Sequence, residues 1–213
     1  VADVVRVEGA DAATYLQGQL SQDIDAIAVG ADAWSFVLEP NGHIDALVKI
    51  TRTAEDAFIL TVDSGLGAAV EARLRKFLLR TKANVALETG TDDDLAARVA
   101  DGRPGAPEFD DRAVPAETGW VDRAVSFTKG CYTGQELVAR MDSRVAEPPR
   151  HLVRLNADAA LTPGAPIEVD GAEVGQVTSA AGQHALGYVK RGAPSDGDAV
   201  VGGTPARMER VGA

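Results

Sequence analysis

One cysteine, three histidines and a shortage of cationic side chains bound what this 213-residue chain can do. With Cys131 alone, no disulfide closes within the chain, and no thiolate cage for zinc or an iron–sulfur cluster can be built from it. His43, His151 and His184 lie far apart and none falls in an HxxxH or HExxH spacing, so a self-contained metal site is not expected. No apolar run approaches the ~18 residues of a membrane span; the best is Ala57-Phe-Ile-Leu-Thr-Val62. Asp3, Arg6, Glu8 and Asp11 break up any secretory apolar segment near the start, so a cytoplasmic protein is expected. Lys and Arg number 21 against 32 Asp and Glu, a net charge of −11 that repels polyanions and argues against a duplex DNA binder. A local basic patch can still hold an anionic ligand. What remains is ordinary globular composition, 45% hydrophobic and 25% charged, in a chain long enough for one large domain or two small ones.

The patterning predicts an α+β protein. Residues 4–9 alternate like a strand, and Asp11 is placed to cap a short helix over 11–20 with Tyr15, Leu16 and Leu20 as its apolar stripe. Asn41-Gly42 between two apolar runs signals a two-residue type I′ hairpin, because that turn needs positive φ at both positions. Its register sets Phe36 opposite Leu47 and Leu38 opposite Asp45, whereas a one-residue bulge would turn Asp45 to the other face. Residues 58–62 read as a strand. Ser64 can cap the helix that follows, in which Leu66, Val70, Leu74 and Phe77 recur at helical spacing and Arg73, Lys76 and Arg80 share another face. A strand over 82–87 and a helix over 93–100 opened by Thr91 come next, then a breaker-rich stretch over 101–118. Glu147-Pro-Pro-Arg150 sets a boundary between a first domain, 1–147, and a second, 150–213. Within the first, 51–90 is a candidate inserted subdomain. The second reads as short strands with hairpin turns at Asp170-Gly171 and Gly202-Gly203, the pattern of a small β-barrel.

Chemistry concentrates in Lys129-Gly-Cys-Tyr-Thr-Gly-Gln-Glu136, a glycine-punctuated loop running into a helix over 135–141. Gly130 and Gly134 let the backbone approach a ligand closely. Cys131 stands two residues from Lys129 and just ahead of a helix N-terminus, where an ammonium and the helix dipole both favour a thiolate. The bland alternative is a small residue packed into the core. Arg73, Arg75, Lys76, Arg80 and Lys82 form a basic group in an acidic chain, fit for an anionic tail or a partner, or simply a solvated helix face.

Lys129-Gly130-Cys131-Tyr132-x-Gly134-Gln135-Glu136, followed by Val138-Ala139-Arg140, closely resembles the K-G-C-[FY]-x-G-Q-E signature of the YgfZ-type folate-binding proteins. These are relatives of the aminomethyltransferase (T-protein) of the glycine cleavage system. Weaker matches occur in the right order: Tyr15-Leu-Gln-Gly-Gln-Leu-Ser-Gln-Asp23, Leu38-x-Pro40-x-Gly42, Leu74-x-Lys76-x-x-Leu79-Arg80 and Gly171-x-x-Val174-Gly175-x-Val177-Thr178-Ser179. The resemblance implies a T-protein-like folate-binding domain of mixed sheets and helices followed by a C-terminal β-barrel. It implies tetrahydrofolate, or a folate derivative, as cofactor, with assembly or repair of iron–sulfur clusters in client enzymes, some of them tRNA-modifying. Cys131 is then the functional cysteine and Lys129 its motif lysine. One thiolate can engage a partner's sulfur or lend a ligand but cannot hold a cluster alone.

A pterin presents N–H and NH₂ donors on one edge, which a carboxylate accepts in bidentate fashion. In Pro115-Ala-Glu-Thr-Gly-Trp120, Glu117 matches the T-protein's pterin-binding glutamate. Asp45 aligns with the first of that enzyme's paired aspartates, although the second position here is Ala46. Trp120 and Tyr132 are candidates for stacking on folate rings. The T-protein's R-x-G-Y-T-G-E segment is absent, and the chain is short between 88 and 115. Three readings follow: a non-catalytic folate-dependent accessory factor serving iron–sulfur clients, an aminomethyl or one-carbon transferase, and an RNA-modification binding module. Ala46 and the missing segment count against the second, and the acidic charge counts against the third and against direct nucleic-acid binding. The first is the expected function, with no membrane partner.

Overall fold

The structure, a computed structural model, describes residues 2–88, 90, 94–143 and 147–212. Its contacts divide the chain into two compact units, neither of them contiguous: Val1–Asp93 with Val121–Arg140, and Asp94–Trp120 with Met141–Ala213. The division differs from a boundary at 147–150, because residues 94–120 cluster with the barrel. Among the described residues no helix is long and apolar enough to cross a membrane.

The first unit is built on an antiparallel sheet of β1 (Asp3–Glu8), β2 (Asp32–Leu38), β3 (Ile44–Ala54), β4 (Ala57–Val62) and β5 (Asn84–Glu88), in the order β2-β3-β4-β1-β5. Two helices, α1 (Ala12–Gln19) and α2 (Gly67–Arg75), supply apolar faces. Val5, Val7, Phe58, Leu60 and Ile50 of the sheet join Leu16, Leu20, Val70 and Leu74 in one core. Each fully buried side chain of this kind contributes about 1.5–3 kcal/mol relative to exposure. Because β3, β4, α2 and β5 all serve this one sheet and core, 51–90 is integral to the unit rather than an inserted subdomain.

Two helix caps differ from their sequence reading. Asp11 occupies the N-cap position of α1, but its carboxylate accepts the N–H of Lys82 instead (2.7 Å). Ser64 does not cap α2; Asp3 of β1 does so from across the fold, its Oδ2 accepting Gly65 N–H (2.8 Å) and Gly67 N–H (2.9 Å). Helix α2 stops at Arg75, so the expected single basic face does not form: Arg80 lies beyond it with a left-handed φ of 60°.

The β2–β3 hairpin keeps Phe36 opposite Leu47 but closes with a different turn. Only Gly42 has positive φ (91°), so Pro40 and Asn41 form the centre of a type I turn and Gly42 follows in the left-handed region. Gly42 N–H donates to Glu39 O (2.9 Å), and Glu39 N–H to His43 O (2.9 Å). Proline before asparagine presets φ at the first central position and thereby selects this turn over type I′. Past Val37 opposite Ala46 the register slips, leaving Leu38 opposite Ile44 and Asp45 as the extra residue of a bulge.

The second unit is a closed six-stranded barrel of β6 (Arg150–Ala157), β7 (Pro166–Val169), β8 (Ala172–Ala181), β9 (His184–Lys190), β10 (Gly197–Val201) and β11 (Thr204–Arg210), ordered β10-β11-β6-β9-β8-β7. Asp170-Gly171 (φ 52° and 77°) and Gly202-Gly203 (55° and 85°) make the expected turns. Helix α3 (Leu95–Ala100) packs on β8 and β9 and is capped by Asp94, whose Oδ1 accepts Ala97 N–H (3.1 Å). The proposed start at Thr91 and Asp93 lies outside the described residues. Two 3-10 turns, Ala106–Glu108 and Pro115–Glu117, punctuate the irregular stretch after α3.

What binds residues 94–120 to the barrel is a buried, multiply hydrogen-bonded ion pair. Arg98 (3% exposed) donates to Glu108 (2.7 Å), to Ser179 Oγ (2.7 Å) and to Arg103 O (3.1 Å). Glu108 also accepts Gly105 N–H (2.8 Å), Ser179 O–H (2.6 Å) and Thr178 O–H (2.5 Å). A buried charge left without its partner is strongly destabilising, whereas replacing both by apolar groups is tolerated. Glu108→Ala is therefore expected to cost about 3–5 kcal/mol in urea unfolding. The pair Arg98→Met/Glu108→Leu should lose clearly less than the sum of its single variants.

Candidate functional site

Short helices α4 (Val121–Ala124) and α5 (Gln135–Ser143) flank the glycine-punctuated loop in the first unit. The incoming end is fixed by Ser21, fully buried, which donates to Ala124 O (2.6 Å) and accepts Ser126 N–H at its own carbonyl (2.9 Å). At the centre stands Lys129. Its ammonium donates to three main-chain carbonyls, those of Gln17 (2.7 Å), Leu20 (2.8 Å) and Gln22 (2.7 Å). These belong to the last turn of α1 and the chain leaving it, where carbonyls lack helical partners and the dipole favours a cation. Burial pushes the Lys129 pKa down to about 8, while Asp23 and Asp25 pull the other way. The motif lysine is thus a clamp on α1, its protons committed to carbonyls rather than offered to the neighbouring thiol as the spacing had suggested.

Thr133 N–H adds a bond to Gly18 O (3.1 Å), and the Tyr132 ring lies 5.3 Å from the Lys129 ammonium. Tyr132 is half-buried, which pushes its hydroxyl up to about 12. Gln135 ties the loop to the start of α5, accepting Tyr132 N–H at its side chain (3.2 Å). Gly134 is demanded by packing: a Cβ there would meet Glu39 O at 2.5 Å, at a φ of 81°. Gly42 of the hairpin is held just as closely by the Leu137 side chain, and a Cβ there would also stand 3.1 Å from Gly134 O, where the turn and the loop meet backbone to backbone. Gly130 differs, with nothing within 4 Å of a Cβ and no positive φ. Between these anchors Cys131 is exposed, as is Glu136.

Asp45 is gathered into the same unit by α2. Its Oδ2 stands 3.6 Å from Arg73 Nε, and both atoms are buried without a hydrogen-bond partner. The rest of the guanidinium donates to Leu38 O (3.1 Å) and Gln19 Oε1 (3.3 Å) and lies 4.5 Å over the Phe77 ring. Burial foremost, then the charge of Glu39, raises the Asp45 pKa, and Arg73 opposes them.

In the second unit Glu117 is 4% exposed, and its Oε2 accepts Val114 N–H (3.3 Å) and Arg150 Nε–H (3.1 Å). Burial raises its pKa against the pull of Arg150. Arg150 also grips Asp110 with two bonds (2.7 and 2.9 Å) and lies 4.1 Å over the Tyr188 ring. Trp120 is a core residue, 1% exposed, its indole N–H donating to Gly102 O (2.8 Å). It offers no open face for stacking. Nothing in the sequence marks Arg73 and Arg150, the cations that govern the two candidate carboxylates, as their partners. Each lies tens of residues from its partner, so no local spacing signals the pairing. Among the described residues no cluster of three or more His, Cys, Asp or Glu could hold a metal ion.

Comparison with known proteins bears on the fold. Residues 150–212 match the family model of the CAF17 C-terminal β-barrel domain. Over the whole chain the fold is that of the glycine cleavage system aminomethyltransferase T from Bartonella henselae, with a TM-score of 0.78 at 16% identity, covering 100% of this chain and 83% of that one. The fold is therefore T-protein-like and ends in a barrel that matches the CAF17 model over residues 150–212, and the resemblance to YgfZ-type proteins read from the sequence stands. An uncharacterized protein of Haemophilus influenzae is 28% identical over 189 residues, 67% of each chain. A chloroplastic protein of Arabidopsis thaliana, provisionally described as a transferase, is 38% identical over 116 residues, half of this chain and 26% of its own length.

The clamp has a pH signature. A neutral amine has two N–H donors for three carbonyls, so raising the pH through about 8 removes one tether. Hydrogen-exchange protection factors of residues 130–134 should fall above that pH while those of β1 and β4 hold. Lys129→Met should show the loosened loop already at pH 6.5 (a pH well below the transition) and no further change on alkalinisation.

Proposed function

We propose that this protein is a tetrahydrofolate-binding accessory factor that helps assemble or repair iron–sulfur clusters in client enzymes. The observation that carries the reading is an exposed Cys131 on a loop bolted down on either side, by Lys129 to α1 and by Gly134 to the hairpin. A rigid mount under a reachable thiol suits a group that must meet another protein's sulfur or metal. The client's cluster is the cargo; a single thiolate engages it briefly and cannot retain it.

Each candidate carboxylate, taken within its own unit, offers an acceptor of the kind a reduced pterin needs. Glu117 keeps Oε1 clear of its bonds to Arg150 and Val114, and Asp45 has a buried oxygen lacking a donor. Each would accept a hydrogen bond from a ring N–H or amino group, and burying such donors elsewhere unpaired would cost affinity. When bound, the folate supplies the polar edge and the carrier nitrogen; the protein supplies acceptors and exclusion of water.

A transferase reading is favoured by one observation, the buried Asp45 Oδ2 that lacks a hydrogen-bond partner; burial raises the pKa of this carboxyl, which suits a group that exchanges a proton. Arg73 beside it and Ala46 after it weigh against that role.

Calorimetric titration with tetrahydrofolate tests the folate site. Wild type and Cys131→Ala should bind alike, and Glu117→Ala should weaken binding by about tenfold or more, the scale of a lost charge-assisted hydrogen bond. Equal affinity in all three removes the Glu117 assignment, and no binding to wild type removes the folate premise. In cells lacking the protein, Cys131→Ala should fail to restore the activity of an iron–sulfur tRNA-modifying enzyme.

A further inference from the structure

Residues 72–87 hold Arg73, Arg75, Lys76, Arg80 and Lys82 and no acidic residue, in a chain whose net charge is −11. Arg73 is turned inward to Asp45, and Arg75 is paired with Glu71 at 3.2 Å. Lys76, Arg80 and Lys82 are exposed and have no carboxylate partner among the described residues. Between them Leu79 is 86% exposed and Phe77 40%. A nearly naked leucine amid unpaired cations is a poor surface for solvent. It is complementary to an acidic segment that carries an aliphatic side chain.

Where this segment is mounted gives it a use. The end of α2 is fastened to α1 by the Tyr15 hydroxyl donating to Leu74 O and by Arg73 donating to Gln19 (3.3 Å). The Cys131 loop is fastened to the same stretch of α1 and its exit, at Gln17, Gly18 and Leu20. Eight helical residues rise only about 12 Å, so one short helix carries both exposed segments.

We propose that residues 76–82 are a docking surface for an acidic, aliphatic-bearing segment of a client protein, held there while Cys131 reaches the client. What the client is rests on the accessory reading above; the surface itself rests on charge and exposure. RNA is the lesser fit, since Leu79 offers nothing to a phosphate or a base, and the chain as a whole repels a polyanion.

The test is fluorescence anisotropy with a labelled synthetic peptide of alternating glutamate and leucine, its glutamate–serine counterpart, and a labelled oligouridylate. The glutamate–leucine peptide should bind with an affinity that falls as salt rises. Leu79→Ser, and separately Lys76→Glu/Lys82→Glu, should weaken it about tenfold, with thermal unfolding unchanged because these side chains are exposed. Equal binding of the serine peptide, tighter binding of the RNA, or salt-dependent self-association that the same variants abolish without any effect on peptide binding would each overturn the proposal. In cells lacking the protein, the Leu79→Ser defect should be relieved by raising client abundance, and that of Cys131→Ala should not. Should peptide binding behave as expected while Cys131→Ala supports full client activity, the accessory reading falls and the docking surface stands. Should the surface variants bind the peptide like wild type, the surface falls and the accessory reading is untouched.

Discussion

Three carbonyl oxygens at the end of α1 have no partner within the helix, and the ammonium of Lys129, more than a hundred residues later in the chain, supplies one for each. That exchange satisfies a helix terminus and a half-buried charge together, each of which would be costly alone. It also fixes where the loop begins, so that the exposure of Cys131 two residues on follows from geometry rather than from looseness. The remaining anchors, Thr133 on Gly18 and Gly134 against the hairpin, only make sense once the lysine has set the loop's height above the helix.

The two candidate carboxylates share a design. Asp45 and Glu117 are each buried enough to disfavour charge, and each is answered by an arginine that is itself stacked on an aromatic ring, Phe77 or Tyr188. An arginine so held cannot swing freely to a better partner. The carboxylates are therefore kept ionisable but partly engaged, a state suited to exchanging one hydrogen-bond partner for another.

Much of the fold was legible because it follows from local rules. The strand periodicity, the stripe of Tyr15, Leu16 and Leu20, and the paired positive φ at Asp170-Gly171 and Gly202-Gly203 all act over a few residues. Local rules misled where a distant group took over. Asp3 caps α2 from another strand, and Pro40 converts an Asn-Gly signal into a longer turn with a bulge at Asp45. At the site, the motif marked Lys129 and Cys131, but its spacing suggested that the lysine serves the thiol. Only the chain's return to α1 reveals the carbonyls it serves instead. Trp120 was a reasonable aromatic candidate beside Glu117, and its indole is spent on Gly102.

The interleaving of the two units has a bearing on biosynthesis. Arg98 and Glu108 leave the ribosome well before Thr178 and Ser179, which complete their hydrogen bonds. During that interval residues 94–120 have no barrel to join, while the following stretch, 121–140, is already wanted by the sheet made first. A chain made from its N-terminus therefore completes the sequence of its first unit, at residue 140, before any strand of the barrel exists. The buried arginine and glutamate keep that waiting segment charged and soluble, and hydrophobic substitutes would expose it to aggregation even where the finished protein tolerates them.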